Sequence, residues 1–260
     1  MKKISLALIG AIVCLLTSCL SEPNYGYSIS YNRVATIDTL TPTVSFKADY
    51  TGELFDNITN LKTPEELEMF DLRGATRAEI LVRLDVDASY KASLLMLDAK
   101  KIDILPVTNK LPATEQMPLL GFQNFPLGGT SFTPTVWVSN GYLNVLPVVP
   151  SESSATYYFM PDKVVNDSLF FNLTATYEEN PKKEYYEYIH SYDLRTLRRD
   201  TGNADPELSN KMKEVLTAMK ENDSVRIFVT GKFIDYDYNH LGKDTIRTIS
   251  HITNYFKYDF

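Results

Sequence analysis

Short runs of β-branched and aromatic residues recur along almost the whole chain, and they limit its fold more than any other feature. Ser168-Leu169-Phe170-Phe171-Asn172-Leu173-Thr174 and Val225-Arg226-Ile227-Phe228-Val229 are the clearest examples. Such side chains fit a pleated, half-buried surface. Helix starts are confined to two places. Thr63-Pro64-Glu65-Glu66 carries a cap, a proline at the first helical position and the carboxylate of a capping box. Asp205-Pro206 opens a second helix, with Leu208, Met212, Val215, Leu216 and Met219 on one apolar stripe. The expectation is a mainly β chain.

The strands expected before residue 110 are Ser28–Ile37, Thr43–Ala48, Ala78–Leu84 and Ala92–Val107, with the short Thr63 helix among them. This order fits an OB-like small β-barrel over residues 28–110, and a generic half-barrel or meander fits the pattern equally well. Leu111 to Thr130 holds Pro112, Pro118 and Pro126 with Gly121, Gly128 and Gly129 and has no sustained period, so residues 111–131 read as a linker. Strands resume at Thr133–Val149, Ala155–Pro161, Ser168–Tyr177, Glu184–Leu194, Ser224–Ile234 and Asp244–Tyr258. Six strands with one inserted helix fit a C-terminal β-sandwich over residues 132–260.

The first nineteen residues carry a different message. Lys2 and Lys3 precede an apolar stretch from Ile4 to Leu16, and Leu16-Thr17-Ser18-Cys19 follows. This is the pattern of a bacterial lipoprotein signal peptide over residues 1–18, with Cys19 lipidated and residues 19–27 as tether. The apolar stretch spans roughly 20 Å as helix, short of a hydrocarbon core of about 30 Å. Removing residues 1–18 takes away two lysines and no acids, leaving 24 basic against 33 acidic side chains and a net charge near −9. An acidic chain without a basic tract argues against nucleic acid as a partner. With Cys14 lost and Cys19 acylated, no thiol remains for a disulfide or a thiolate metal site.

Trp137-Val138-Ser139-Asn140-Gly141-Tyr142-Leu143-Asn144-Val145 and Tyr188-Ile189-His190-Ser191-Tyr192-Asp193-Leu194 together resemble segments of the NigD-like lipoproteins of Gram-negative bacteria. In that family a similar Trp and Gly-Tyr-Leu-Asn stretch begins the C-terminal domain. The resemblance implies an OB-like domain followed by a β-sandwich, and a role proposed as bacteriocin immunity. The residues themselves also have a physical reading. Asn140-Gly141 suits a tight turn at positive φ, and Trp137 suits a core or a domain interface.

Tests for chemistry return little. His190, His240 and His251 lack ligand spacing. Asp235-Tyr236-Asp237-Tyr238-Asn239-His240 lacks the turn glycine of a calcium loop, and Ile246 stands at the twelfth place. No Gly-x-Ser-x-Gly elbow or phosphate-cradling loop is present. No cofactor or metal is expected. Tyr185, Tyr186, Tyr188 and Tyr192 with Tyr157 and Tyr158 form the best stacking candidates, although alternation sends half of such a run into the core. The expectation is a non-enzymatic, lipid-anchored envelope protein at the outer membrane, on its periplasmic or surface face, that binds a protein or glycan. Trp137, Tyr142, Tyr186 and Tyr188 are the candidate partner surface. Bacteriocin immunity and an envelope hydrolase with cleft carboxylates are the alternatives.

Overall fold

The computed structural model describes residues 26–39, 43–122, 135–149, 155–178, 186–187, 189–198, 205–235 and 245–259, with only the backbone given for 186, 187 and 235. Sixteen strands are described in chain order. They are β1 (Tyr27–Asp38), β2 (Ser45–Ala48), β3 (Leu54–Phe55), β4 (Arg77–Val86), β5 (Ala92–Lys101), β6 (Asp103–Pro106), β7 (Gly121–Phe122) and β8 (Val136–Ser139). The rest are β9 (Tyr142–Val145), β10 (Pro147–Val149), β11 (Thr156–Val165), β12 (Ser168–Thr176), β13 (Tyr186–Glu187), β14 (His190–Asp193), β15 (Arg226–Asp235) and β16 (Thr245–Ile252). One α-helix, α1 (Pro206–Glu221), and two 3₁₀ helices, Pro64–Phe70 and Leu194–Arg198, complete the described elements. The chain is mainly β.

Both helix starts are where the sequence puts them. The Glu66 carboxylate reaches back to accept from the Thr63 backbone N–H at 3.0 Å. Asp205 caps α1 by accepting from the Glu207 N–H at 3.0 Å, and Leu208, Met212, Val215 and Met219 are buried.

The strands form four sheets. Sheet A is antiparallel, in the order β3-β2-β1-β4-β5. It buries Phe46, Ile80, Val82 and Met96 against Leu61, Leu67 and Leu72 of the segment that includes the first 3₁₀ helix. The expected barrel does not close. β3 is two residues long, and beyond it only Ile58 bridges Leu94 of β5. The Asn60 side chain then stands in for a ladder, donating to the Met96 carbonyl at 2.9 Å and accepting from the Met96 N–H at 3.0 Å. Sheet A therefore curls toward closure and stays open.

The single strand expected over Ala92–Val107 is in fact two. The chain turns at Ile102, whose N–H donates to the Arg77 carbonyl at 3.1 Å and whose side chain is buried with Val34, Trp137 and Ile189. Residues past it leave sheet A: β6 runs parallel to β14 and forms the edge of sheet B, in the order β6-β14-β9-β8. Leu94 and Met96 before the break and Ile102 and Ile104 after it fall on the same alternation, so sequence periodicity does not show a change of sheet.

Sheet C has the order β11-β12-β15-β16, with β12 and β15 parallel, and sheet D the order β13-β10-β7. Phe159, Phe171, Leu173 and Val229 of sheet C share one core with Val138, Leu143 and Tyr192 of sheet B and with Met212 and Val215 of α1. The opposite face of sheet B, with Trp137, Asn144 and Ser191, is also buried. Both faces of this small sheet are thus covered, one by sheet C and α1 and the other by sheet A. Within the stretch read as a linker, Met117 bridges Ala175, Leu119 bridges Phe233 and Gly121–Phe122 pairs with β10.

Candidate functional site

Two places gather polar and aromatic side chains. The first is the junction between sheets A and B. Arg77 on β4 and Asp49 in the turn after β2 are paired with both side chains at 0% exposure. The guanidinium donates to the two Asp49 oxygens at 2.9 and 2.6 Å. It also donates to Asn144 Oδ1 at 2.6 Å, Thr36 Oγ1 at 2.8 Å and Ser191 Oγ at 3.3 Å. Asp49 further accepts from Trp137 Nε1 at 2.8 Å and Asn144 Nδ2 at 3.3 Å. A buried ion pair holds only when its remaining donors and acceptors are met, and here they are met from four further strands, β1, β8, β9 and β14. The arrangement locks two sheets together.

The motif from Trp137 to Val145 supplies much of this junction. β8 and β9 form a hairpin whose turn places Asn140 at φ 49° and Gly141 at φ 81°. Val138, Leu143 and Val145 then point into the core shared with sheet C, while Trp137 and Asn144 point to sheet A. Trp137 is 1% exposed and Tyr142 4%. The Tyr142 ring lies between two guanidinium groups, Arg77 at 4.9 Å and Arg195 at 4.5 Å. Two of the residues expected to meet a partner are thus brought together inside the protein. Tyr186 is on β13 with its backbone paired to Val149. Tyr188, Tyr185 and Cys19, and Asp235–His240 beyond Asp235, lie outside the described residues.

The second place is a cleft of about 540 Å³. β6 is the edge of sheet B and β11 the edge of sheet C, so the two sheets part along these strands. Residues 107–109 strap the gap. The Thr108 N–H donates to the Phe159 carbonyl at 2.8 Å, and its hydroxyl accepts from the Phe159 N–H at 2.9 Å. The Val107 N–H donates to Thr196 Oγ1 at 3.0 Å, and the Asn109 carbonyl accepts from the Asp205 N–H at 2.8 Å. Tyr157, Tyr158, Leu111, Lys110, Thr196 and Met212 help line the opening. Among the described lining residues Lys110 is the only charged one, and none carries a carboxylate or an imidazole.

Behind Tyr157 the core holds two unusual polar groups. The Tyr157 and His190 rings are 4.6 Å apart, and the Tyr192 ring is 4.7 Å from Phe159. Neither ring nitrogen of His190 nor the Tyr192 hydroxyl finds a hydrogen-bond partner among the described residues. Burial lowers the His190 pKa to about 4, against a small opposing effect of Asp103, and burial raises the Tyr192 hydroxyl well above its ordinary value. Both groups are neutral near pH 7. Tyr157 and Tyr158 had been readable as aromatic strand residues, but no sequence signal places them beside residues 105–113. Arg77 and Asp49 are single charges 28 positions apart, and no sequence signal pairs them.

Among the described residues no three His, Cys, Asp or Glu side chains gather as a metal site, and no helix is long and apolar enough to cross a membrane. No family model matches the chain, and no curated protein matches it. Solved structures do align over most of its length. A candidate lipoprotein from Bacteroides fragilis aligns at 13% identity and a TM-score of 0.47, covering 88% of this chain and 99% of that one. A NigD-like immunity protein from Bacteroides caccae aligns at 12% identity and 0.43, covering 84% and 91%. A candidate toxin-related protein from Parabacteroides distasonis aligns at 10% and 0.40, covering 86% and 93%.

Proposed function

We propose that this chain is a non-catalytic lipoprotein of the cell envelope, held at the outer membrane by acyl chains on Cys19, that binds a protein or glycan partner in the cleft between β6 and β11. The observation that carries the binding site is the cleft's lining. Among the described residues, tyrosine rings, hydroxyls, an amide and one lysine surround an apolar floor, a composition that suits recognition of a partner. In this reading residues 132–260 form a sandwich unit of sheets B and C. The unit over residues 28–110 lends it β6, and residues 111–131 connect the two. Trp137 and Tyr142 serve the partner indirectly, by fixing sheet B.

A photo-crosslinking residue placed at Tyr158 of the full chain, with Val165 as control, tests this in intact envelopes. Adducts formed at position 158 and absent at position 165 are expected. Sensitivity of the adduct to protease or to glycosidase then identifies the partner's class. Equal or absent labelling at the two positions would contradict the cleft as the binding site.

A further inference from the structure

We propose that the Tyr27–Tyr90 end of sheet A is a membrane-contacting surface that seats this region on the lipid bilayer holding Cys19. The inference rests on the acylation of Cys19 put forward above. It adds a second, non-covalent attachment formed by side chains.

The argument begins with reach. Seven residues lead from Cys19 to Gly26, where the described chain begins. Seven residues extend at most about 25 Å. β1 starts at the next residue and has twelve residues, roughly 40 Å of strand. Its start therefore lies close to the bilayer, and its other end lies farther from the tether than the tether is long. β4 ends opposite that start, with Val86 paired to Tyr27. β5 begins there too, with Ala92 paired to Val86. The turn from Asp87 to Lys91 thus projects from the end of the sheet nearest the lipid.

The side chains at this end suit an interface. On β1, Ala35 and Ile37 are buried in the sheet A core and Tyr31 packs against it. Tyr27 and Ile29 continue the same face past the limit of that core. They are 54% and 49% exposed, and Tyr90 at the turn is 76% exposed. Their partners on β4, Val86 and Leu84, extend the strip. Tyrosine is enriched at bilayer interfaces, with the ring among acyl and headgroup atoms and the hydroxyl toward water. The acids present are engaged within the protein. Asp85 accepts from Ser28 and Arg83, and Asp87 accepts from the N–H groups of Ser89 and Lys91. The acyl chains on Cys19 hold the protein at the bilayer but do not orient it; a strip of apolar side chains beside them adds buried apolar area and fixes which face meets the lipid.

The test uses the full acylated chain in vesicles of phosphatidylethanolamine and phosphatidylglycerol, with brominated acyl chains as fluorescence quenchers. Trp137 is the only native tryptophan and is buried, so it supplies a constant background. Tyr90→Trp is compared with Val165→Trp, which lies in sheet C. The expected result is quenching about two-fold or more stronger for Tyr90→Trp. Equal quenching in vesicles that carry the protein, with acylated Cys19 seen by mass spectrometry, overturns the surface and leaves the anchor standing. Emission at position 90 that follows protein density and ignores bromination assigns the strip to a second copy, and overturns the proposal. Absence of acyl mass on Cys19 removes its premise and overturns both readings.

Discussion

Arg77 illustrates how much one side chain decides here. Its guanidinium is fully buried, and each partner that it meets comes from a different part of the chain. Truncating one member of a buried pair leaves the other charge without its counterion, at a cost of about 3–5 kcal/mol. Arg77→Ala is expected to lose that much in urea unfolding followed by Trp137 emission, because the indole N–H bonds to the same carboxylate. A loss below about 1 kcal/mol would show that the junction is not a stabilising clasp. His190 supplies a pH dependence. The unfolded chain takes up its proton near 6.5 and the folded chain only near 4. Between these values the unfolded state binds more protons, so stability falls as pH drops below 6.5. The loss reaches about 2 kcal/mol at pH 5 and levels off near 3 below pH 4. His190→Phe keeps the ring against Tyr157 and removes this titration. Its urea midpoint should therefore fall less than that of the unsubstituted protein between pH 7.5 and pH 5. Neither residue's role was readable in advance: pairing across 28 positions, and burial of one imidazole, are properties of the assembled fold.

Elements defined by local signals were readable from the sequence. The capping residues Thr63 and Asp205, the stripe from Leu208 to Met219 and the turn at Asn140-Gly141 all act through neighbours within a few positions. Gly141 at φ 81° makes the last of these a firm expectation. Gly141→Val is expected to cost about 1–2 kcal/mol, since a β-branched residue is strained in the left-handed region. Circular dichroism melts check this, and an unchanged midpoint would mean that the hairpin tolerates another turn. Elements defined by pairing were less readable. Nothing between Ala92 and Val107 signals that β5 stays with sheet A while β6 joins sheet B. The break at Ile102 depends on a bond to the Arg77 carbonyl and on cover from Trp137 and Ile189, both distant in sequence. Closure of sheet A likewise depended on β3 being long enough to pair with β5, and two residues are too few.

The whole molecule is organised around sheet B, which is buried on both faces and takes an edge strand from the first half of the chain. Two such halves do not separate without exposing Trp137, Asn144 and the ion pair together. Urea unfolding monitored by Trp137 emission and by far-ultraviolet circular dichroism is therefore expected to give one coincident transition. Two transitions separated by more than about 1 kcal/mol would show that sheets A and C melt as independent units. The cleft belongs to this same scale, since it exists only because the edges of sheets B and C part at β6 and β11. Its tyrosines were visible as aromatic strand residues. Their convergence with residues 105–113 follows from the topology.

The parallel pairing of β6 with β14 also sets an order of events in time. Asp103 waits for His190, and Arg77 waits for Asn144 and Ser191, so the clasp cannot form until most of the chain has been delivered. Contacts of such long separation form slowly. Until the last strand of sheet B arrives, the ion pair of the first sheet lacks its Asn144 and Ser191 partners, and the two halves of the chain stay unlocked.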